Sequence, residues 1–188
     1  MQAAKRLSAE GQTVVVTREP GGTPIAEKIR DCILSPGHTA MHRECELLLY
    51  GAARAQHVRE KILPALDRGA VVLCDRFELA TFAYQGFGRS IPLDLLERIN
   101  GIATGGCKPD LTFVFDLPVA VALERLAATG KAPDRLEQES RTFFENVAAG
   151  FRTLAAKDPS HIMLLDARQP VEVIAETVYR RITELLQA

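Results

Sequence analysis

Four short apolar runs constrain this chain more than anything else in it: Thr13 to Thr17, Val71 to Cys74, Leu111 to Asp116 and His161 to Asp166. Each is continuous rather than alternating, as expected of strands buried on both faces. Between them lie stretches of helical periodicity, near Gln2 to Glu10, Pro24 to Leu34, Arg43 to Asp67, Pro92 to Thr104, Pro118 to Ala128, Glu137 to Asp158 and Pro170 to Leu186. Apolar strands that alternate with amphipathic helices predict an α/β fold, a parallel sheet flanked by helices on both faces. Ligands of such sheets sit outside the carboxyl ends of the strands. The residues that follow each run are therefore the first candidates for function.

The 188 residues suffice for one domain with a full core, and no linker, repeat or low-complexity tract divides them. A formal net charge of -1 gives no electrostatic case for a nucleic-acid polymer or a membrane surface as partner. No apolar run approaches the length of a membrane span, and the N-terminus does not look like a signal peptide. Cys32, Cys45, Cys74 and Cys107 lie far apart with no Cys-x-x-Cys pair, which predicts reduced thiols in a cytoplasmic protein. His38, His42 and Cys45 are irregularly spaced and lack a second ligand pair, so they read as a solvated loop and helix start rather than a metal centre.

The first run, Val14-Val15-Val16, ends in Thr17-Arg18-Glu19-Pro20-Gly21-Gly22-Thr23, with Pro24 suited to the first turn of a helix. An Arg-Glu pair held beside two glycines at a strand end suits a small, polar, phosphorylated ligand; an ordinary strand-to-helix turn is the alternative. The second run ends in Asp75-Arg76. A carboxylate there can hold Mg²⁺ directly or through a bound water, and Arg76 offers a planar fork for phosphate oxygens, although the two also read as a structural ion pair. Thr81, Tyr84 and Gln85 share a face if they lie on a helical turn, and together could read a nucleobase edge and its sugar. Tyr50 and Arg54, four residues apart, could stack on a base and bond its carbonyl, or be a core tyrosine and a solvated arginine. Arg30 is open in the same way. Thr129 to Arg135 is the best candidate for a mobile loop between helices.

Taken together, these segments resemble the bacterial thymidylate (dTMP) kinases. The resemblance rests on Thr17 to Thr23, Glu46-Leu-Leu-Leu-Tyr-Gly-Ala-Ala-Arg54, Asp75-Arg76, Ala83-Tyr84-Gln85-Gly86, Lys108-Pro109-Asp110-Leu111-Thr112 and Asp134-Arg135-Leu136-Glu137, in that family's order and spacing. It implies a P-loop kinase-like sheet, a homodimer, and phosphorylation of dTMP to dTDP with ATP and Mg²⁺. Glu19 and Pro20 would contact the dTMP sugar and phosphate region, and Arg30 and Arg76 its phosphate. Tyr50 would stack on thymine, Arg54 would bond a thymine carbonyl, and Thr81 and Gln85 would read the base. Tyr84 would pack against the deoxyribose and disfavour a 2′-hydroxyl. Asp75 would serve the Mg²⁺ and phosphate network. Residues 129–136, with Lys131, Asp134 and Arg135, resemble a lid over ATP, and Arg135 joins Asp75 and Arg76 in the implied catalytic set. Basic residues are sparser there (Arg125, Lys131, Arg135) than in some relatives.

The family also carries an apolar strand and a G-x-x-x-x-G-K-[ST] phosphate loop ahead of the helix that matches Gln2-Ala3-Ala4-Lys5. No such loop occurs in these 188 residues. The expectation is a fold without its first, central strand, leaving two facing rows of unpaired backbone groups at roughly 1–3 kcal/mol each. Three functions compete on this basis. One is a dTMP kinase whose start lies roughly twenty or more codons upstream. Another is a remnant that binds dTMP without ATP or only pairs with intact subunits. The third is a kinase for a different nucleoside monophosphate.

Overall fold

In the computed structural model, which describes residues 2–187, all four apolar runs are strands. Helix α1 (Gln2–Ala9) leads into β1 (Val14–Arg18), α2 (Pro24–Leu34) and α3 (Arg43–His57). A π-helical turn at Val58–Ile62 then passes into α4 (Leu63–Leu66), β2 (Val71–Asp75) and α5 (Glu78–Thr81). A second π-helical segment, Phe82–Gly88, is followed by α6 (Leu93–Thr104), β3 (Thr112–Asp116) and α7 (Val119–Ala128). The order closes with α8 (Arg141–Lys157), β4 (Ile162–Asp166) and α9 (Val171–Gln187). None of these helices is long and apolar enough to cross a membrane.

The strands are parallel, as their apolar continuity predicts, but they form two ladders instead of one sheet. Strand β1 pairs with β2, Val16 opposite Leu73, and β3 pairs with β4, Val114 opposite Leu164. Among the described residues no strand pairing joins the two. A shared cluster holds them together instead: Ala3, Leu7 and Ile182 pack against Val14, Val71, Leu73 and Phe113. The expected cover on both faces is also incomplete, for Val16, Leu164 and Phe115 are exposed, the last at 57 %. By the two-residue period of a strand, Val16 shares a face with Val14, and Phe115 with Phe113. The short α1 and its partner α9 therefore cover β1 and β3 only at their amino-terminal ends.

Local chemistry sets the helix boundaries. Thr23 is extended and its hydroxyl accepts from Ala26 N, while Pro24 opens α2. The predicted continuous helix from Arg43 to Asp67 is interrupted because Pro64 has no N–H to donate. Leu63 N instead reaches back to Val58 O. Helix α8 begins four residues later than expected, where the Ser140 hydroxyl accepts from Phe143 N at 3.2 Å. The segment from Glu78 to Gly88, which carries three candidate site residues, packs closely on α8. Two glycines permit this: a Cβ at Gly88 would lie 2.6 Å from Phe143, and one at Gly150 would lie 2.7 Å from Phe87.

Candidate functional site

The register of β1 and β2 places Arg18 opposite Asp75, so both strands end at the same level. Glu19 N donates to Asp75 O at 2.9 Å, tying the two connecting loops together. A narrow cleft opens there, lined by Glu19, Pro20, Tyr50, Arg54, Thr81 and Gln85 together with Arg76 and Phe77. It shares Glu19, Pro20, Tyr50 and Arg76 with a cavity of about 240 Å³, onto which Arg30, Asp75, Tyr84 and Asp134 also face. The structure thus brings together residues predicted from six separate groups in the sequence.

Arg54 is the best-constrained group in the cleft. Its side chain and that of Glu19 are each 2 % exposed, and Nε donates to Glu19 Oε2 at 2.7 Å. One terminal nitrogen, NH1, donates to Thr81 Oγ1 at 3.0 Å and to Asn100 Oδ1 at 2.7 Å. The other, NH2, makes no hydrogen bond within the described residues. The other Glu19 oxygen meets His57 Nδ1 at 3.0 Å, and His57 Nε2 lies 2.7 Å from Thr17 Oγ1. A carboxylate can only accept, so the imidazole proton sits on Nδ1. A buried guanidinium held on two of its three nitrogens offers the third to a ligand carbonyl.

Gln85 is fixed just as firmly. Its Nε2 donates to Glu46 Oε1 at 2.8 Å, which orients the amide oxygen away from Glu46, and that oxygen has no hydrogen bond within the described residues. Glu46 also accepts from Arg89 Nε and NH2 at 3.2 and 3.0 Å, and from Arg135 NH2 at 2.6 Å. Burial alone would raise the Glu46 pKa, but hydrogen bonds from Arg89, Gln85 and Arg135 outweigh it and hold the group below the usual 4.5. A lowered folded-state pKa adds stability that is fully present above the unfolded value and is lost as pH falls through the folded one. The wild-type melting temperature should therefore fall more steeply than that of Glu46→Gln on acidification below pH 4.5, as followed by circular dichroism.

The wider cavity is edged by arginines. Arg30 NH1 donates to Pro20 O at 2.8 Å, bracing the turn. Arg76 has φ +69, in the left-handed region that disfavours a side chain, and its guanidinium lies 4.3 Å from the centre of the Tyr84 ring. Such backbone outliers concentrate at functional sites. Tyr84 in turn meets Phe143 and Phe151 edge to face. Burial pushes the Tyr50 phenol up to about 12, so it stays protonated at neutral pH.

The loop after α7 is less uniform than expected. Lys131 is exposed. Asp134 Oδ1 accepts from Leu136 N and Glu137 N, while Glu137 Oε2 accepts from Asp134 N, which closes a rigid turn. Arg135, implied for the catalytic set of the lid, points inward. It is buried, donating to Ile33 O at 2.7 Å and to Glu46, because the turn points it at a carboxylate already shielded from water. It lines neither the cleft nor the cavity. Among the described residues no three His, Cys, Asp or Glu side chains converge as a metal cage, and His38 Nδ1 instead lies 2.8 Å from Cys32 O.

Sequence reasoning missed Glu46, His57, Phe77 and Asn100. Two of these were within reach. Glu46, Tyr50, Arg54 and His57 lie at spacings of four, four and three on α3, and all are buried. A charged stripe of that kind on the inward face of a helix signals a site. Phe77, whose ring lies 5.5 Å from the Arg54 guanidinium, and Asn100, on α6, carry no such pattern.

A family model described as thymidylate kinase matches residues 1–178. The thymidylate kinase of Pseudomonas fluorescens (strain SBW25) is 50% identical over 184 residues, covering 98% of this chain and 87% of the relative. That of Pseudomonas putida (strain W619) is 50% identical over 175 residues, 93% of this chain and 84% of the relative. That of Ectopseudomonas mendocina (strain ymp) is 47% identical over 185 residues, 98% and 88% respectively.

Proposed function

The chain belongs to the thymidylate kinase family, and from that premise we propose that it transfers a phosphoryl group from ATP to dTMP, giving dTDP. The observation that carries this reading is the pairing, in one cleft, of a free Arg54 NH2 donor with a free Gln85 acceptor oxygen. Thymine presents a carbonyl beside an imide N–H, the complement of that pattern. Cytosine presents an amino group beside a ring-nitrogen acceptor and would place donor against donor and acceptor against acceptor.

The remaining roles belong to the same proposal. Tyr50 stacks on the base, and Thr81, which accepts from Arg54, keeps its own proton to donate. Tyr84 packs against the deoxyribose. Arg76 and Arg30 take the acceptor phosphate, with Glu19 and Pro20 at the sugar and phosphate. Phosphoryl transfer asks mainly for positioning and charge neutralisation, which fixed guanidinium groups supply. The exposed Asp75 carboxylate, without a hydrogen bond to the described residues, fits Mg²⁺ held by one carboxylate and substrate phosphates, where the ion would neutralise phosphate charge. Lys131 is the exposed cation of the lid, while Arg135 serves it from within.

The donor side rests on finer readings. The two unjoined ladders, packed on one cluster, support a further strand between them and with it a phosphate loop. The acceptor cleft is well formed in its own right, which supports a second reading: dTMP binding without transfer. Homodimerisation is supported by the exposed Leu48 on α3 and Ile102 on α6, the latter 76 % exposed. Free thiols at all four cysteines suit a cytoplasmic setting.

The test is to offer the purified protein ATP and Mg²⁺ with dTMP, UMP, CMP or AMP and to quantify each diphosphate by chromatography. Conversion of dTMP above all others is expected. Turnover of another monophosphate with dTMP ignored overturns the proposal. Calorimetric dTMP binding without any dTDP formed selects the second reading.

A further inference from the structure

We infer that Glu46 is a specificity-determining positioning residue, which makes the cleft select an imide N–H by fixing which way the Gln85 amide points. The inference rests on the dTMP reading above. A glutamine amide can turn over with little change of shape, exchanging an acceptor for a donor. Whichever face Gln85 offers the base therefore depends on what holds its other side. That partner is Glu46 Oε1, 2.8 Å from Gln85 Nε2.

An acceptor-only partner admits a single amide orientation, with –NH2 toward Glu46 and the oxygen toward the cleft. Burial makes this hold firm, since Gln85 is 1 % exposed and Glu46 closes off its –NH2 end. Glu46 is itself held as a carboxylate by two arginines. Arg135 NH2 and Arg89 NH2 both donate to Oε2, at 2.6 and 3.0 Å, leaving Oε1 for Gln85 and for Arg89 Nε at 3.2 Å. The clamp thus joins three segments remote in sequence: α3, the end of the π-helical segment and the turn that closes residues 129–136.

This asymmetry gives an isosteric substitution a definite outcome. In Glu46→Gln the new amide oxygen stays on the Oε2 side, where two guanidinium N–H groups converge at 2.6 and 3.0 Å, and its –NH2 takes the Oε1 position at the cost of the longer 3.2 Å bond from Arg89 Nε. That –NH2 then faces Gln85, whose amide turns over to present its oxygen to it. The cleft now offers –NH2 where it had offered oxygen. A base with a ring-nitrogen acceptor is favoured at that point and an imide N–H is opposed.

Calorimetry on the full chain with dTMP and dCMP tests this, because a ratio of affinities does not depend on the fraction of protein that is folded. The wild type should prefer dTMP, and Glu46→Gln should lower the preference by about tenfold or more. Arg89→Met provides the structural control: it removes one ion-pair partner from Glu46 and should destabilise the fold, yet it leaves the carboxylate facing Gln85. The wild-type preference should persist in it. A Glu46→Gln preference within about twofold of wild type overturns the inference, and so does an equal loss in Arg89→Met, which would mark general loosening. If wild type binds dTMP no better than dCMP, the reading of the cleft itself falls, and this inference with it.

Discussion

Arg54→Met should lower the free energy of unfolding by about 3–5 kcal/mol and remove measurable dTMP binding, because it leaves the Glu19 carboxylate charged, buried and without its guanidinium. Measured against a typical total of about 5–15 kcal/mol, the loss is large enough to read directly from urea unfolding. Methionine keeps much of the side-chain volume, so the change reports the lost charge rather than a cavity. The two effects can be separated with a second substitution. In Glu19→Gln/Arg54→Met the uncompensated charge is gone, and the amide oxygen introduced in place of the carboxylate can still accept from His57 Nδ1. The double variant should regain about 2 kcal/mol over Arg54→Met. It should not regain dTMP binding, since no donor has been restored to the cleft. Recovery of both together would show that Arg54 acts on the nucleotide only by holding the fold.

How far the site was legible in the sequence depends on whether a residue's role is local. Pro24 after Thr23 and the strand-end Asp75-Arg76 announce themselves by chemistry within a few residues, and both stand where expected. Tyr50 and Arg54 were visible through helical spacing, and extending that spacing one step either way reaches Glu46 and His57. Arg135 shows the limit. The resemblance implies a catalytic arginine in a lid, and only the fold reveals a carboxylate 89 positions earlier in the chain waiting for it. The same limit applies to the sheet. Apolar continuity identifies parallel strands, but which strand lies beside which depends on long-range pairing, so the division into two ladders had no local signature. The π-helical segment was hidden for a different reason. The spacing of Thr81, Tyr84 and Gln85 does not distinguish a π turn from an α turn, and the need for Gly88 to admit the Phe143 ring arises only once α8 packs there.

Gly22→Ala should cost about 3–5 kcal/mol in urea unfolding. Two causes combine. At φ +87 any side chain is disfavoured by about 1–2 kcal/mol. The added Cβ would also lie 2.6 Å from His57 Nε2 and 2.7 Å from Thr17 Oγ1, the two atoms that hydrogen-bond each other. His57 is fully buried and held on its other side by Glu19, so the ring has nowhere to move. Gly21 provides the contrast. Its φ is +129, and a Cβ there would come within 2.5 Å of Glu27 Oε1, a nominally worse collision. The Glu27 side chain is 37% exposed, however, and can swing into water at the cost of its bonds to Gly22 N and Arg18. Gly21→Ala should therefore cost less, about 2–3 kcal/mol, from backbone strain and the two lost bonds without a trapped ring. Nucleotide binding should separate the two further: displacement of His57 disturbs Glu19 and through it the aim of Arg54, whereas displacement of Glu27 does not reach them. An effect of Gly21→Ala equal to that of Gly22→Ala on both stability and dTMP affinity would mean that loop conformation alone matters, and that the Thr17, His57, Glu19 and Arg54 chain does not carry rigidity into the cleft.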